Sequence, residues 1–154
     1  DQIDGLVIPG GESTTIGKLM DRFGLLDAVR SGVERGLSLF GTCAGAILLA
    51  KEIRGSGQPR LGLMDMEVER NAYGRQVDSF EASFSSEVFS GEPLRGVFIR
   101  APIIRSVRES VEIIATYEEL PVVVRQGKLL AATFHPELTE DSRLHSYFLE
   151  IIAE

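Results

Sequence analysis

The chain has 154 residues, of which 44% are hydrophobic and 25% charged, with 16 Lys plus Arg against 23 Asp plus Glu and a formal net charge of −7. Those proportions describe an ordinary globular chain, exclude a disordered or collagen-like one, and argue against binding a phosphate backbone. One cysteine excludes an internal disulfide, and with two histidines no ordinary zinc cluster can be assembled. In chain order, Gly5-Leu6-Val7-Ile8 reads as a short buried strand, broken by Pro9-Gly10-Gly11. Its apolar run is too short for a signal peptide, and nowhere do some 18 apolar residues run together, so the expected location is the cytoplasm.

Ser13-Thr14-Thr15 offers N-cap hydroxyls to a helix through Ile16, Leu19, Met20 and Phe23, closed by Gly24. A second helix is expected from Leu25 to Arg35, ending at Gly36. Leu37 to Phe40 is the next buried strand, and after Gly41-Thr42-Cys43-Ala44-Gly45 a helix is expected from Ala46 to Ile53. The period then falls to two. Met64, Met66 and Val68 alternate with acidic residues, and Val77, Phe80, Ala82 and Phe84 mark another extended segment. Further strands are expected at 97–99 and 111–114. A hairpin follows, with Val122 to Arg125, a Gln126-Gly127 turn and Leu129 to Thr133. A helix from about Ser142 to Ile152 closes the chain, its apolar face formed by Leu144, Tyr147, Phe148 and Ile151. Strands alternating with helices predict an α/β fold in three layers, a mixed, mainly parallel sheet flanked by helices.

Cys43 stands in a G-x-nucleophile-x-G setting between a strand and a helix, where small neighbours allow a sharp turn that exposes the side chain. The helix N-terminus that follows favours thiolate. A cysteine acting on a carbonyl compound needs a base, and His135 in Phe134-His135-Pro136-Glu137 is the better of the two histidines. Glu137, two residues on, is placed to orient the imidazole. His145 reads as a solvated helix residue. The order nucleophile, histidine, acid departs from that of α/β-hydrolases, and the caspase and papain signatures are absent around Cys43. Gly11 to Leu19 imitates a P-loop but has one residue too many between its glycines, and Leu19 stands where a magnesium-binding hydroxyl belongs. Gly10-Gly11 is a tight turn whose N–H groups are free to face an oxyanion. Arg70 and Arg100 each end an extended run and rank low on these grounds alone.

Taken together, Pro9 to Thr15, Gly41 to Gly45 and Phe134 to Thr139 resemble the class I (triad) glutamine amidotransferases. Within them, Leu61 to Asp65, Val68 to Asn71 and Val97 to Pro102 are similar to the branch of glutaminase subunits that serves pyridoxal 5′-phosphate synthases. The resemblance runs from Gly5 to about Phe148. It implies hydrolysis of L-glutamine to glutamate and ammonia by Cys43, His135 and Glu137 through a thioester. The oxyanion would rest on N–H groups of Ala44 and the Gly10-Gly11 turn, and Gly11, Glu12, Ser13, Arg70, Ile99 and Arg100 would line the glutamine site. It implies no cofactor, and ammonia passing to a synthase subunit in a hetero-oligomer. Members of this branch carry a strand, a loop and a helix ahead of the segment matching Gly5. Residues 1–154 are therefore expected to form a single glutaminase domain without that first strand–helix unit. The glutaminase of another class I amidotransferase, and a non-catalytic partner-binding subunit, are the alternatives.

Overall fold

In the computed structural model, which describes residues 3–71 and 79–154, strand β1 (Gly5–Ile8) leads into helices α1 (Ser13–Arg22) and α2 (Leu25–Glu34). Strand β2 (Ser38–Thr42), helix α3 (Ala44–Leu49) and strands β3 (Ala50–Ile53) and β4 (Met64–Glu69) follow. Then come β5 (Ser79–Phe84), β6 (Leu94–Ile99), β7 (Ile103–Val107), β8 (Glu112–Tyr117), β9 (Leu120–Gln126) and β10 (Leu129–Ala132). A 3₁₀ turn (Pro136–Leu138) and helix α4 (Arg143–Ala153) complete the order.

The strands form a five-stranded sheet in the order β1-β2-β10-β9-β8, a three-stranded sheet β3-β4-β7 and the pair β5-β6. In the large sheet, β1, β2 and β10 are mutually parallel, whereas β9 and β8 join antiparallel. Side-chain alternation along β2 and β10 separates two cores. Leu39, Leu129 and Ala131 face one core with Met20, Leu26, Val29 and α3, while Phe40, Leu130 and Ala132 face the other with Phe98, Leu144, Phe148 and Ile151. Both faces of the sheet are thus covered, which is why its strands read as continuous apolar runs. Each fully buried aliphatic or aromatic side chain here contributes about 1.5–3 kcal/mol. Among the described residues no helix is long and apolar enough to cross a membrane.

Several sequence expectations are corrected. The helix expected from Ala46 to Ile53 stops at Leu49, and Ala50–Ile53 is β3, paired parallel to β4. Leu61 N–H and Gly62 N–H donate to the Leu48 carbonyl and Leu63 N–H to that of Leu49, so the returning chain satisfies carbonyls that another helical turn would have used. Tertiary pairing overrides helix propensity at this point. The cap of α1 is Glu12, whose carboxylate accepts from Thr14 N–H (3.0 Å) and Thr15 N–H (2.8 Å), and Ser13 is already helical. Gln126 pairs with Leu129, so the hairpin turns at Gly127-Lys128, one residue later than expected. Strand β7 carries two exposed residues in its middle, Arg105 and Ser106, and has no alternation to announce it. His145 is half-buried, its ring edge-on to Phe40 at 5.9 Å. Val77 lies outside the described residues.

Candidate active site

The ends of β2 and β10 are neighbours in the sheet, and this parallel pairing brings together two segments far apart in sequence. Cys43 follows β2 with φ 50 and ψ −105, and its N–H is tied to the Ala132 carbonyl at the end of β10 (2.9 Å). A left-handed φ at a non-glycine residue is strained and persists where the surroundings over-determine it. Gly45 allows the elbow to close, because any Cβ there would overlap the Ile8 carbonyl oxygen of β1.

Three residues past β10 comes His135, anchored by its N–H on the Val97 carbonyl of β6 (2.8 Å). Its Nδ1 lies 2.7 Å from Glu137 Oε1. A carboxylate only accepts, so Nδ1 is the donor and Nε2 is left as the basic nitrogen. Glu137 sits on the 3₁₀ turn that starts at Pro136, which points it back at the ring.

Cys43, Ala44 and His135 line one cavity of about 450 Å³, together with Gly11, Glu12, Ser13, Ile47, Arg70, Asn71, Ile99 and Arg100. That volume suits a small polar metabolite. Of the residues singled out in the sequence, Gly10 and Glu137 stand one layer back, each against the imidazole. Ile47 and Asn71 are additions. Ile47 could have been found, since it lies one helical turn beyond Cys43 on the same face. Asn71 has no signal beyond its adjacency to Arg70.

The Cys43 Sγ donates to the Ile99 carbonyl at 3.8 Å, and the next residue, Arg100, is itself in the left-handed region with φ 42. Burial pushes the Cys43 thiol above its ordinary value of 9.0; the Ala44 N–H lowers it, the Glu137 charge raises it and the Arg100 charge lowers it. The expectation that the helix N-terminus favours thiolate is met only in direction by the Ala44 N–H, since burial outweighs it. Glu12 behaves oppositely. The Thr15 hydroxyl and the Thr14 and Thr15 N–H groups hold its carboxyl at about 2, leaving a fixed anion on the cavity wall. Arg70 supplies a cation 3.9 Å from Glu12, donating to Thr14 Oγ1 (2.7 Å) and Gln58 Oε1 (2.9 Å). An anion, a cation and a thiol on one wall can bind an amino acid by its zwitterionic end while presenting its side chain to sulfur. No cluster of three or more metal-ligating side chains occurs among the described residues.

The chain is similar to known proteins over most of its length. The sequence matches the family described as the SNO glutamine amidotransferase family from residue 1 to residue 154. It is 60% identical over 150 residues to the pyridoxal 5′-phosphate synthase subunit PdxT of Moorella thermoacetica, covering 97% of this chain and 80% of that one. The subunit of the same name from Thermus thermophilus is 61% identical over 151 residues, covering 97% and 78%. A crystal structure of a glutamine amidotransferase superposes with a TM-score of 0.93 at 58% identity, over 99% of this chain and 80% of the other.

Proposed function

Because this chain belongs to the SNO glutamine amidotransferase family, we propose that it is the glutaminase subunit of a pyridoxal 5′-phosphate synthase, with residues 1–154 acting as one glutaminase domain. It hydrolyses L-glutamine to glutamate and ammonia and hands the ammonia to a synthase subunit. The observation that carries this reading is the shared wall: a buried thiol on a strand-to-helix elbow and an imidazole held by a carboxylate open into one cavity.

The resting sulfur is protonated, since burial raises its pKa. Attack therefore needs the proton to leave as the C–S bond forms, and His135 Nε2 takes it. The negative charge of the tetrahedral intermediate moves onto the former amide oxygen and is met by N–H groups of Ala44 and the Gly10-Gly11 turn. Imidazolium returns the proton to the departing nitrogen, and ammonia leaves a γ-glutamyl thioester. Water, deprotonated by the same imidazole, then attacks the thioester carbon, and sulfur leaves and is reprotonated. Glu137 keeps one imidazole tautomer throughout and stabilises the imidazolium. Gly11, Glu12, Ser13, Arg70, Ile99 and Arg100 surround the substrate, with Glu12 suited to its α-ammonium. The reaction belongs in the cytoplasm, where a lone reactive thiol stays reduced.

The test is glutamate release with the synthase subunit present. Cys43→Ala is expected to abolish turnover while leaving thermal unfolding and partner binding close to those of the parent. A Cys43→Ala protein that still turned over would overturn the mechanism.

A further inference from the structure

Gln58 is not part of the cavity wall, yet the wall depends on it. It lies in the loop between β3 and β4, is 8% exposed, and sends Oε1 to Arg70 Nη1 at 2.9 Å. The hydroxyls of Ser13 and Thr14 approach the same oxygen at 3.4 Å each and that of Ser56 at 3.5 Å, distances too long to match the arginine bond. A guanidinium has only donors, so the amide must turn its oxygen to Arg70. That orientation leaves Gln58 Nε2 buried without a hydrogen-bond partner among the described residues.

A buried, unpaired N–H₂ is costly, and an apolar side chain of similar shape would fill the space without that penalty. What glutamine adds is a neutral acceptor. Neutrality matters because Arg70 already has one carboxylate, Glu12, at 3.9 Å. A second carboxylate behind it would cancel the field that Arg70 projects into the cavity, whereas an amide oxygen fixes the guanidinium and leaves its charge intact.

We propose that Gln58 is a positioning residue that holds Arg70 at the cavity wall through an uncharged acceptor and so reserves its charge for the α-carboxylate of the substrate. Thr14, whose hydroxyl takes a bond from the same Nη1 at 2.7 Å, is the second anchor. This assignment rests on the glutaminase reading above. It also separates the two arginines, because Arg70 is held by two uncharged side-chain oxygens, whereas Arg100 is exposed.

The experiment uses the intact protein with its synthase subunit, following glutamate release from L-glutamine and ammonia release from its α-carboxamide, L-glutaminamide. Gln58→Leu, which loses the bond to Arg70, and Gln58→Glu, which sets a second carboxylate behind it, are both expected to raise KM for L-glutamine about tenfold with kcat within about twofold, since weaker binding of the α-carboxylate is felt in ground and transition states alike. The α-carboxamide has no carboxylate to lose, so its kinetics stay put and the preference for glutamine falls by the same factor. Gln58→Asn, which keeps the amide, restores most of that preference. Thr14→Val moves KM in the same direction and gives the answer if Gln58→Leu fails to fold. Unchanged discrimination in Gln58→Glu and Thr14→Val, with an active parent, would overturn this assignment alone, as would equal losses on both substrates. An inactive parent would overturn the glutaminase reading and this assignment with it.

Discussion

Gly10 backs directly onto the imidazole of His135. A Cβ on Gly10 would overlap ring atom Cε1 and stand 3.2 Å from Nδ1 and 3.3 Å from Nε2. The turn after β1 therefore limits where the imidazole can sit. Gly10→Ala should displace the ring and weaken its bond to Glu137. The expected result is a fall in kcat of about ten- to a hundredfold, the usual consequence of misplacing a catalytic group by roughly an ångström. Steady-state glutaminase kinetics beside a thermal unfolding curve would check it; an unaltered kcat would mean that the ring has room to spare.

The 2.7 Å contact between His135 Nδ1 and Glu137 predicts an ordered pair of losses. His135→Asn removes the base itself, whereas Glu137→Gln keeps a polar partner beside an intact imidazole. Glu137→Gln should be about two orders of magnitude milder in kcat, as in triads where the orienting acid is removed alone. Parallel measurement of both variants at saturating glutamine is sufficient. A fully active His135→Asn protein would refute the base assignment.

Burial of Cys43 has a consequence for stability against pH. Its folded pKa is raised above the ordinary 9.0, first by burial and then by the Glu137 charge, against lowering by Ala44 N–H and Arg100. A raised pKa means that the stabilising contribution is fully present below the unfolded value and is lost as pH rises through the folded one. Wild type should therefore lose stability relative to Cys43→Ala between about pH 9 and the folded pKa, and the two should run parallel below about pH 8. Denaturant unfolding across that range tests the sign. Thiolate absorbance of the native protein should likewise titrate above the value of a free cysteine.

Full activity should require the synthase subunit. Gly10 and Gly11 adjoin one another beside the base, and Gly11 has φ 143, a conformation open to glycine and rarely to other residues. Such a turn rearranges readily, and a docked partner that favours one arrangement would shift it to the productive form. Glutamate release should rise as the synthase subunit is titrated in and saturate at stoichiometric binding. Identical kcat and KM with and without a bound partner would exclude the turn as a switch.

The elbow at Cys43 and the His-Pro-Glu run were legible in the sequence because each is a local pattern, whereas Arg70 and Arg100, the residues that follow β4 and β6, ranked low on local grounds and entered through the family resemblance. Small residues around a nucleophile, a proline that fixes a turn, and a hydrophobic strand before each leave marks within a few positions. The central strands were legible for the same reason, since two covered faces demand continuous apolar runs. Residues 50–53 were misread because their alternative, pairing with β4, depends on a chain segment that returns more than ten positions later. The cap of α1 was expected among Ser13, Thr14 and Thr15 because Ser and Thr are preferred cap residues and Glu is not, whereas the Glu12 carboxylate takes that place with the Thr15 hydroxyl and N–H groups as donors. Only the tertiary structure set Gly10 against His135, Gln58 behind Arg70 and the Ile99 carbonyl over the Cys43 thiol. It alone also fixed the direction of the thiol's pKa, for burial is a property of everything that surrounds an atom, and the residues that bury Cys43 come from strands that meet only in the folded chain.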